Sequence, residues 1–471
     1  MNKRAIALAT DSAVTIGSSD KFYNTANKLF MLSKYHPVGI MIYNNAEFMG
    51  MPWEIIIKQY RDSIGDQEFD NLQGYCNSFL NFLKNEALGL SDYEEIYFIK
   101  TVRWFLNDLN SQIRKHYNEA VEQTGNKLEE HEIKNIINNT IDEYDKLVDK
   151  FNDLDNIPDR FEQTIEEKYR ENLLEVVKSE IPVALISEDS INILAKTCIK
   201  VFKKAITIDT YSGIVIAGFG KKDLFPSLIE HEICGIINGY IRLKVKQERN
   251  ITISKNYDIV PFAQSDTVDT FLNGISPRYS NVLNDSFNQH IISVIDSMDS
   301  SILNETNKVR IKDELNKKWN DVTTQLVSYS NTNYLFPILS AVISLPIEEL
   351  ATMAESLVNL TSFKRQVAID EYSRTVGGPI DVAVISKGDG FVWIKRKHYF
   401  KPEHNHHFFK TIIISVRRRQ VMANKSDSDK FFIRYLRENY CLKDTCKDNN
   451  SSDNTKESVK KMLDKEFAKK K

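Results

Sequence analysis

No stretch of this chain approaches the roughly 20 consecutive apolar residues that a bilayer-spanning helix needs, so the sequence offers no candidate membrane span. Cysteine is scarce. Cys76, Cys198, Cys234, Cys441 and Cys446 are scattered and odd in number, which argues against a disulfide framework. Neither sign of charge dominates: 62 basic and 65 acidic side chains leave a formal net charge of −3, too little to draw nucleic acid or a membrane surface to the whole molecule. There is no glycine-rich phosphate loop and no repeat of fixed period. The opening MNKRAIALA has an apolar run of only five residues before Asp11, short of the roughly 7–15 of a secretory signal. The expectation is a cytoplasmic protein.

At 471 residues the chain is too long for one ordinary core, and a composition of 42% hydrophobic and 27% charged residues is that of a globular protein. Its organising stretch is Ala5 to Phe48. Apolar runs at Ala5–Ala9, Lys28–Leu32 and Val38–Tyr43, set between Gly, Asn and Ser clusters, predict strands. Three strands this close are expected to pair as hairpins or a meander, since no crossover helix fits between them. Pro52 then opens a helix that stops at Gly65.

Residues 66–205 have few glycines and prolines and show apolar residues at three- and four-residue spacing, as in EHEIKNIINNTIDEYDKLVDKF. They predict amphipathic helices. Strands resume at Ser212–Gly220 and are expected to continue through Phe225–Ile229, Cys234–Tyr240 and Tyr240–Val245 as a second sheet. Pro261–Gly274 reads as a loop into a helix with Asp266 as N-cap. Residues 277–345 again read as helical. IEELATMAESLVNLTSFKR has a period near 3.6 and follows Pro346. A strand at Ile380–Ile385, a Lys-Gly-Asp-Gly turn and a strand at Phe391–Lys395 form a hairpin pattern.

Three motifs occur in a telling order: Ala9-Thr10-Asp11-Ser12, Lys28-Leu29-Phe30, and GGPIDVAVISKGDGFVWI at Gly377–Ile394. Together they resemble the proteasome β-subunit family of N-terminal-nucleophile (Ntn) hydrolases. The resemblance covers about 150 residues. It implies an α+β fold, a four-layer αββα sandwich. The core would be residues 1–65, 206–275 and 340–397, with helical insertions at 66–205 and 276–339 and a basic extension at 398–471. The first insertion would be a lid or partner-binding arm, or a subdomain that only enlarges the core.

In such a hydrolase the chain's first residue, a threonine, serine or cysteine, attacks a carbonyl. Its own α-amine is the base, a lysine favours the deprotonated form by its charge, and a backbone N–H stabilises the oxyanion. By the resemblance Lys28 is that lysine, Asp11 its carboxylate partner, and the backbone around Asn44 the oxyanion donor where the family has glycine. Asparagine is the next best residue at positive φ. Ser373 and Val376 stand where the family has a supporting Asp and Ser; Asp370, Ser265 and Thr267 are substitutes. The matched threonine falls about six residues before Met1 by the resemblance, so the chain as given is expected to be inactive. The implied function is a threonine-type peptidase or amidohydrolase acting on a peptide or protein, or a non-catalytic scaffold on the same fold. A homo-oligomer is implied, with a partner protein on the helical insertion, and no cofactor.

Other chemistry is weaker. His404, His406 and His407, and Cys441 with Cys446, lack a zinc-ligand spacing. His231-Glu232 would begin HExxH, but position 235 is glycine. Arg417–Arg419 and the lysine-rich end are read as solvated charge, and nucleic acid is not an expected partner. An Asp–Lys pair on neighbouring strands is, without the resemblance, a structural ion pair.

Overall fold

The computed structural model describes residues 1–15, 22–23, 26–85, 88–182, 185–208, 210–298, 303–367 and 377–398. The chain opens with β1 (Ala5–Thr10), β2 (Val14–Thr15), β3 (Phe22–Tyr23), β4 (Leu29–Met31), β5 (Val38–Asn44), β6 (Glu47–Phe48) and β7 (Met51–Pro52). Helices α1 (Trp53–Ile64), α2 (Leu72–Leu83), α3 (Glu94–Thr124), α4 (Glu130–Asp149), α5 (Phe161–Glu180) and α6 (Glu188–Lys203) follow. Then come β8 (Ser212–Gly218), β9 (Ser227–Ile237) and β10 (Tyr240–Asn250). A second helical stretch holds α7 (Asp266–Asn273), α8 (Pro277–Ser286), α9 (Ser293–Ser297), α10 (Glu305–Ser330), α11 (Phe336–Ser344) and α12 (Ile347–Val367), and β11 (Asp381–Ser386) and β12 (Gly390–Lys395) close the series. The chain is thus a mixed α+β protein with antiparallel sheets. No helix among the described residues is long and apolar enough to cross a membrane.

The expected pairing of the first three strands is corrected. Only β4 and β5 pair, and they join β8, β9 and β10 in a five-stranded sheet ordered β10-β9-β8-β5-β4. β1 instead pairs antiparallel with β11 in a three-stranded sheet, β1-β11-β12, with Leu8 opposite Ala383. The link from Asp11 to Lys28 is long enough to change sheets, so nearness in sequence does not force a hairpin. Likewise β9 ends at Ile237, and Asn238-Gly239, both at positive φ, turn it into β10. The expected strand Cys234–Tyr240 ran through that turn. Asp266 is the first residue of α7 rather than its cap; its carboxylate faces Lys364 instead.

Side-chain alternation sets the layers. In β1, Ile6 and Leu8 face the five-stranded sheet, while Ala5, Ala7 and Ala9 lie toward α12. In β5, Met41 and Tyr43 face the three-stranded sheet, while Val38, Ile40 and Ile42 pack on α1 and α2. A Cβ on Gly39 would lie 2.8 Å from the Phe391 ring, so glycine lets the two sheets approach there. Although its sequence places it within the first helical stretch, α2 shares the core of α1.

Helices α3–α6 have their own apolar core, joined to the sheet through Ile237. Two buried charges fasten them. Glu94, at the start of α3, accepts from Lys168 Nζ at 2.8 Å, Tyr169 at 2.7 Å and the Asn238 N–H at 2.8 Å. Arg242 on β10 is 1% exposed and donates to the carbonyls of Val201 at 3.0 Å, Lys204 at 3.2 Å and Ile206 at 2.5 Å, around the C-terminus of α6. The α8–α11 stretch buries far less: no residue of α8, only Lys308 of α10 and only Val342 of α11. Asn2, fully buried, ties it down by donating to Val342 and Leu345 at 3.0 and 3.1 Å.

His231 lies on β9 between Ile229 and Ile233, with its Nδ1 buried and unpartnered. Burial pushes the imidazole down to about 4. The unfolded chain therefore binds a proton below the usual 6.5 that the folded chain refuses. Stability from this group is full above pH 6.5 and falls as pH drops toward 4, by on the order of 3 kcal/mol. Urea midpoints at pH 7 and pH 4.5 should differ more in the wild type than in His231→Leu; equal losses would exonerate His231.

Candidate functional site

Asp11 follows β1 directly, and Lys28 precedes β4 in the opposite sheet. Their side chains meet with Nζ 2.8 Å from Oδ1, at 15% and 13% exposure. The other carboxylate oxygen of Asp11 accepts the Ala13 N–H at 3.2 Å and the Gly377 N–H at 3.0 Å. Ser12 seals the same corner: its N–H donates to Gly377 O at 3.1 Å and its hydroxyl to Pro379 O at 2.6 Å. The carboxylate is fixed by backbone from two distant parts of the chain, and it in turn fixes the ammonium.

Lys28 O accepts the Ile42 N–H at 2.8 Å, so Lys28 and Asn44 occupy the same end of the five-stranded sheet. Asn44 has φ +66°, the conformation that favours glycine and after it asparagine. Its Nδ2 donates to Tyr211 O at 2.8 Å, and Asn45 Nδ2 to Thr210 O at 3.3 Å. Ser212, buried, accepts from Trp53 Nε1 at 2.8 Å and lies 3.2 Å from Asn45 O. The turn after β5 is thereby held against the start of β8.

Three of the four sequence-predicted residues, Asp11, Lys28 and Asn44, come to one end of the two sheets. Ser373 lies outside the described residues, as do Asp370, Val376, the three histidines, Cys441, Cys446 and Arg417–Arg419. Ser265 and Thr267 are at the start of α7. The nearest hydroxyls to the pair in sequence are engaged: Thr10 donates to Asp11 O at 3.2 Å, and Ser12 to Pro379 O. The amine of Met1 donates to Asp258 O at 2.7 Å. It sits beyond the other end of β1, a six-residue strand that spans roughly 20 Å at 3.3 Å per residue. Burial pushes that amine down to about 6.

The sequence reading passed over a polar cluster beside Asn44. Glu230 and Glu232 are two apart on β9 and so share the inner face, while His231 points the other way. Tyr43 crosses over Gly213, where a Cβ would strike its ring, and donates to Glu230. Gln247 also donates to Glu230, and Thr207 to Glu232 at 3.0 Å. Lys246 Nζ lies 3.1 Å from Glu232 and 3.5 Å from Glu230, over the Tyr43 ring. Burial drives the Tyr43 hydroxyl well above the ordinary tyrosine range, and Glu230 adds to it. Burial opposes the charge of Lys246, but Glu232 and Glu230 prevail and hold it above the ordinary lysine range. The i, i+2 spacing of the two glutamates was the available signal, hidden because charged residues ordinarily face water.

Among the described residues no group of three or more His, Cys, Asp or Glu side chains is arranged to hold a metal ion. No protein-family model, curated protein or solved structure matches the chain.

Proposed function

We propose that this chain is a proteasome-related protein of the Ntn-hydrolase kind, a threonine-type peptidase or amidohydrolase on an αββα sandwich. The observation that carries the reading is the Lys28–Asp11 pair, an ammonium anchored by a backbone-fixed carboxylate where two stacked sheets meet. The left-handed Asn44 at the same end supports it. So does the order of layers, with α1 and α2 outside one sheet and α12 outside the other.

In this reading a hydroxyl or thiol beside Lys28 attacks a peptide carbonyl carbon and passes its proton to an α-amine. The amide C–N bond then breaks, the proton moves to the leaving amine, and water hydrolyses the ester or thioester. Lys28 lowers the cost of the developing negative charge, and the backbone around Asn44 faces the oxyanion. The reading requires a hydroxyl or thiol beside Lys28 and an α-amine to take its proton. The scaffold reading gains from the engaged hydroxyls of Thr10 and Ser12.

A peptide epoxyketone, which captures an N-terminal threonine through its hydroxyl and amine, separates the two. Chain 1–471 made recombinantly is expected to stay unmodified by intact mass. Protein isolated from its natural source is expected to carry the adduct on an N-terminal residue, and to lose it in Lys28→Met. No adduct on the natural protein would leave the scaffold.

A further inference from the structure

The buried residues of α3 stop at Leu109, although the helix runs on to Thr124. Past that point a cavity of about 300 Å³ lies between α3 and the start of α4. Ile113 and Tyr117 line it from one face of α3, and Ile133, Ile136 and Ile137 from one face of α4, since residues three and four apart share a helix face. The core of α3–α6 includes Ile137 and reaches Ile113 and Ile133, so the floor of the cavity is continuous with packed, rigid structure. Tyr117 and Ile136, both half-buried, line the cavity without belonging to that core.

The polar part of the lining is small and one-sided. Arg114 and Asn118, one turn apart on α3 and both exposed, complete the wall. Among the described residues that line the cavity, Arg114 carries the single charge. Its guanidinium stays protonated, and its planar fork meets a carboxylate through two parallel N–H bonds. A cavity walled by isoleucine stays dry and takes an apolar guest, and small-ligand sites begin at about this volume. With a methylene about the size of a water, roughly 30 Å³, the space holds on the order of ten carbon atoms. A cationic head would be repelled by Arg114, and a neutral head would leave its charge unused. The wall therefore matches a hydrocarbon chain that ends in an anion.

We propose that the α3–α4 cavity is a binding site for a free medium-chain monocarboxylate, with its chain among the four isoleucines and its carboxylate on Arg114. The chain supplies affinity: each methylene taken out of water tightens binding by about four-fold until the cavity is full. Arg114 supplies selectivity for the acid over the alcohol or the amine. The inference stands whether the Lys28 site is catalytic or silent, because it rests on the cavity and its one cation.

The test titrates the full chain calorimetrically with butyrate, hexanoate, octanoate and decanoate, and with 1-decanol and decylamine as the neutral and cationic counterparts of decanoate. Affinity should rise with each step in chain length, and decanoate should bind at least ten-fold more tightly than either counterpart. A decanoate carrying a diazirine should label fragments that contain Ile113–Asn118 or Ile133–Ile137. Arg114→Gln should weaken decanoate at least ten-fold and leave 1-decanol unchanged. Ile136→Trp fills the cavity from a position outside the core, and should abolish binding with the thermal midpoint kept or raised; Ile133→Phe is the second variant, should the first misfold. The proposal is overturned if decanoate does not bind by about 1 mM, an affinity near −4 kcal/mol, or if Arg114→Gln leaves its affinity unchanged. Binding that survives both cavity-filling variants, or labels that fall elsewhere, would overturn it too. So would association seen only with phosphatidylglycerol vesicles and not with monomeric decanoate, because a lipid surface would then be the occupant.

Discussion

Replacing Arg242 with methionine is expected to cost the chain about 4 kcal/mol. Methionine keeps most of the side chain's bulk and removes only the guanidinium. Three carbonyls, those of Val201, Lys204 and Ile206, then lose the buried guanidinium that donates to them. Leaving buried polar groups unmatched costs roughly 1–3 kcal/mol each, and more when the lost partner was charged. The positive charge also lies at the C-terminal, negative end of the α6 dipole. The effect should be regional: hydrogen exchange should rise first in α3–α6, because Arg242 joins those helices to β10, while β5 and β8 keep their protection. A loss below about 1 kcal/mol in urea unfolding would mean that the helices hold through their apolar core alone.

The second large effect concerns the Lys28–Asp11 pair. Exposed ion pairs contribute about 0.2–1 kcal/mol, whereas breaking a buried one costs about 3–5. Exposure of 15% and 13%, and two backbone N–H groups on the carboxylate, put this pair nearer the buried class. Asp11→Ala is expected to lose about 3 kcal/mol, since it strands Lys28 and frees the N–H groups of Ala13 and Gly377. Lys28→Met should lose about 2, and the double variant little more than Asp11→Ala, giving a coupling of about 2 kcal/mol. A coupling under about 0.5 would reduce the pair to a surface contact and remove the support it lends to the proposed chemistry.

Much of this was legible in the sequence where local rules govern. The runs at Ala5–Ala9, Val38–Tyr43 and Ser212–Gly218 are strands because little else accommodates short β-branched and apolar runs between turn residues. Positive φ at Asn44 was an implication of the resemblance, which sets asparagine where the family has glycine, and φ there is +66°. Partners were not legible where pairing is distant: nothing in Ala5–Thr10 distinguishes β4 from β11 as a neighbour, since either would bury Ile6 and Leu8. Buried charge was the other blind spot. Glu230, Glu232, Arg242 and Asp381 look like surface residues until their partners arrive from elsewhere: Tyr43 and Lys246, the end of α6, and Lys397, whose Nζ lies 2.6 Å from Asp381. The Asn238-Gly239 signal was present in the sequence, but a strand expected through it concealed the turn.

The union of β1 with β11 bears on how the protein is born. The Ser12 hydroxyl meets a carbonyl 367 residues further along the chain. A ribosome adding about 5–20 residues per second needs roughly 20–70 s to deliver that partner. Throughout that interval the nascent Ala5–Thr10 segment has no sheet to join, although β4, β5, β8, β9 and β10 can already assemble. The three-stranded sheet is therefore the last piece of the architecture to close, and a truncated or stalled polypeptide would emerge with its first strand bare and prone to stick to whatever extended chain it meets.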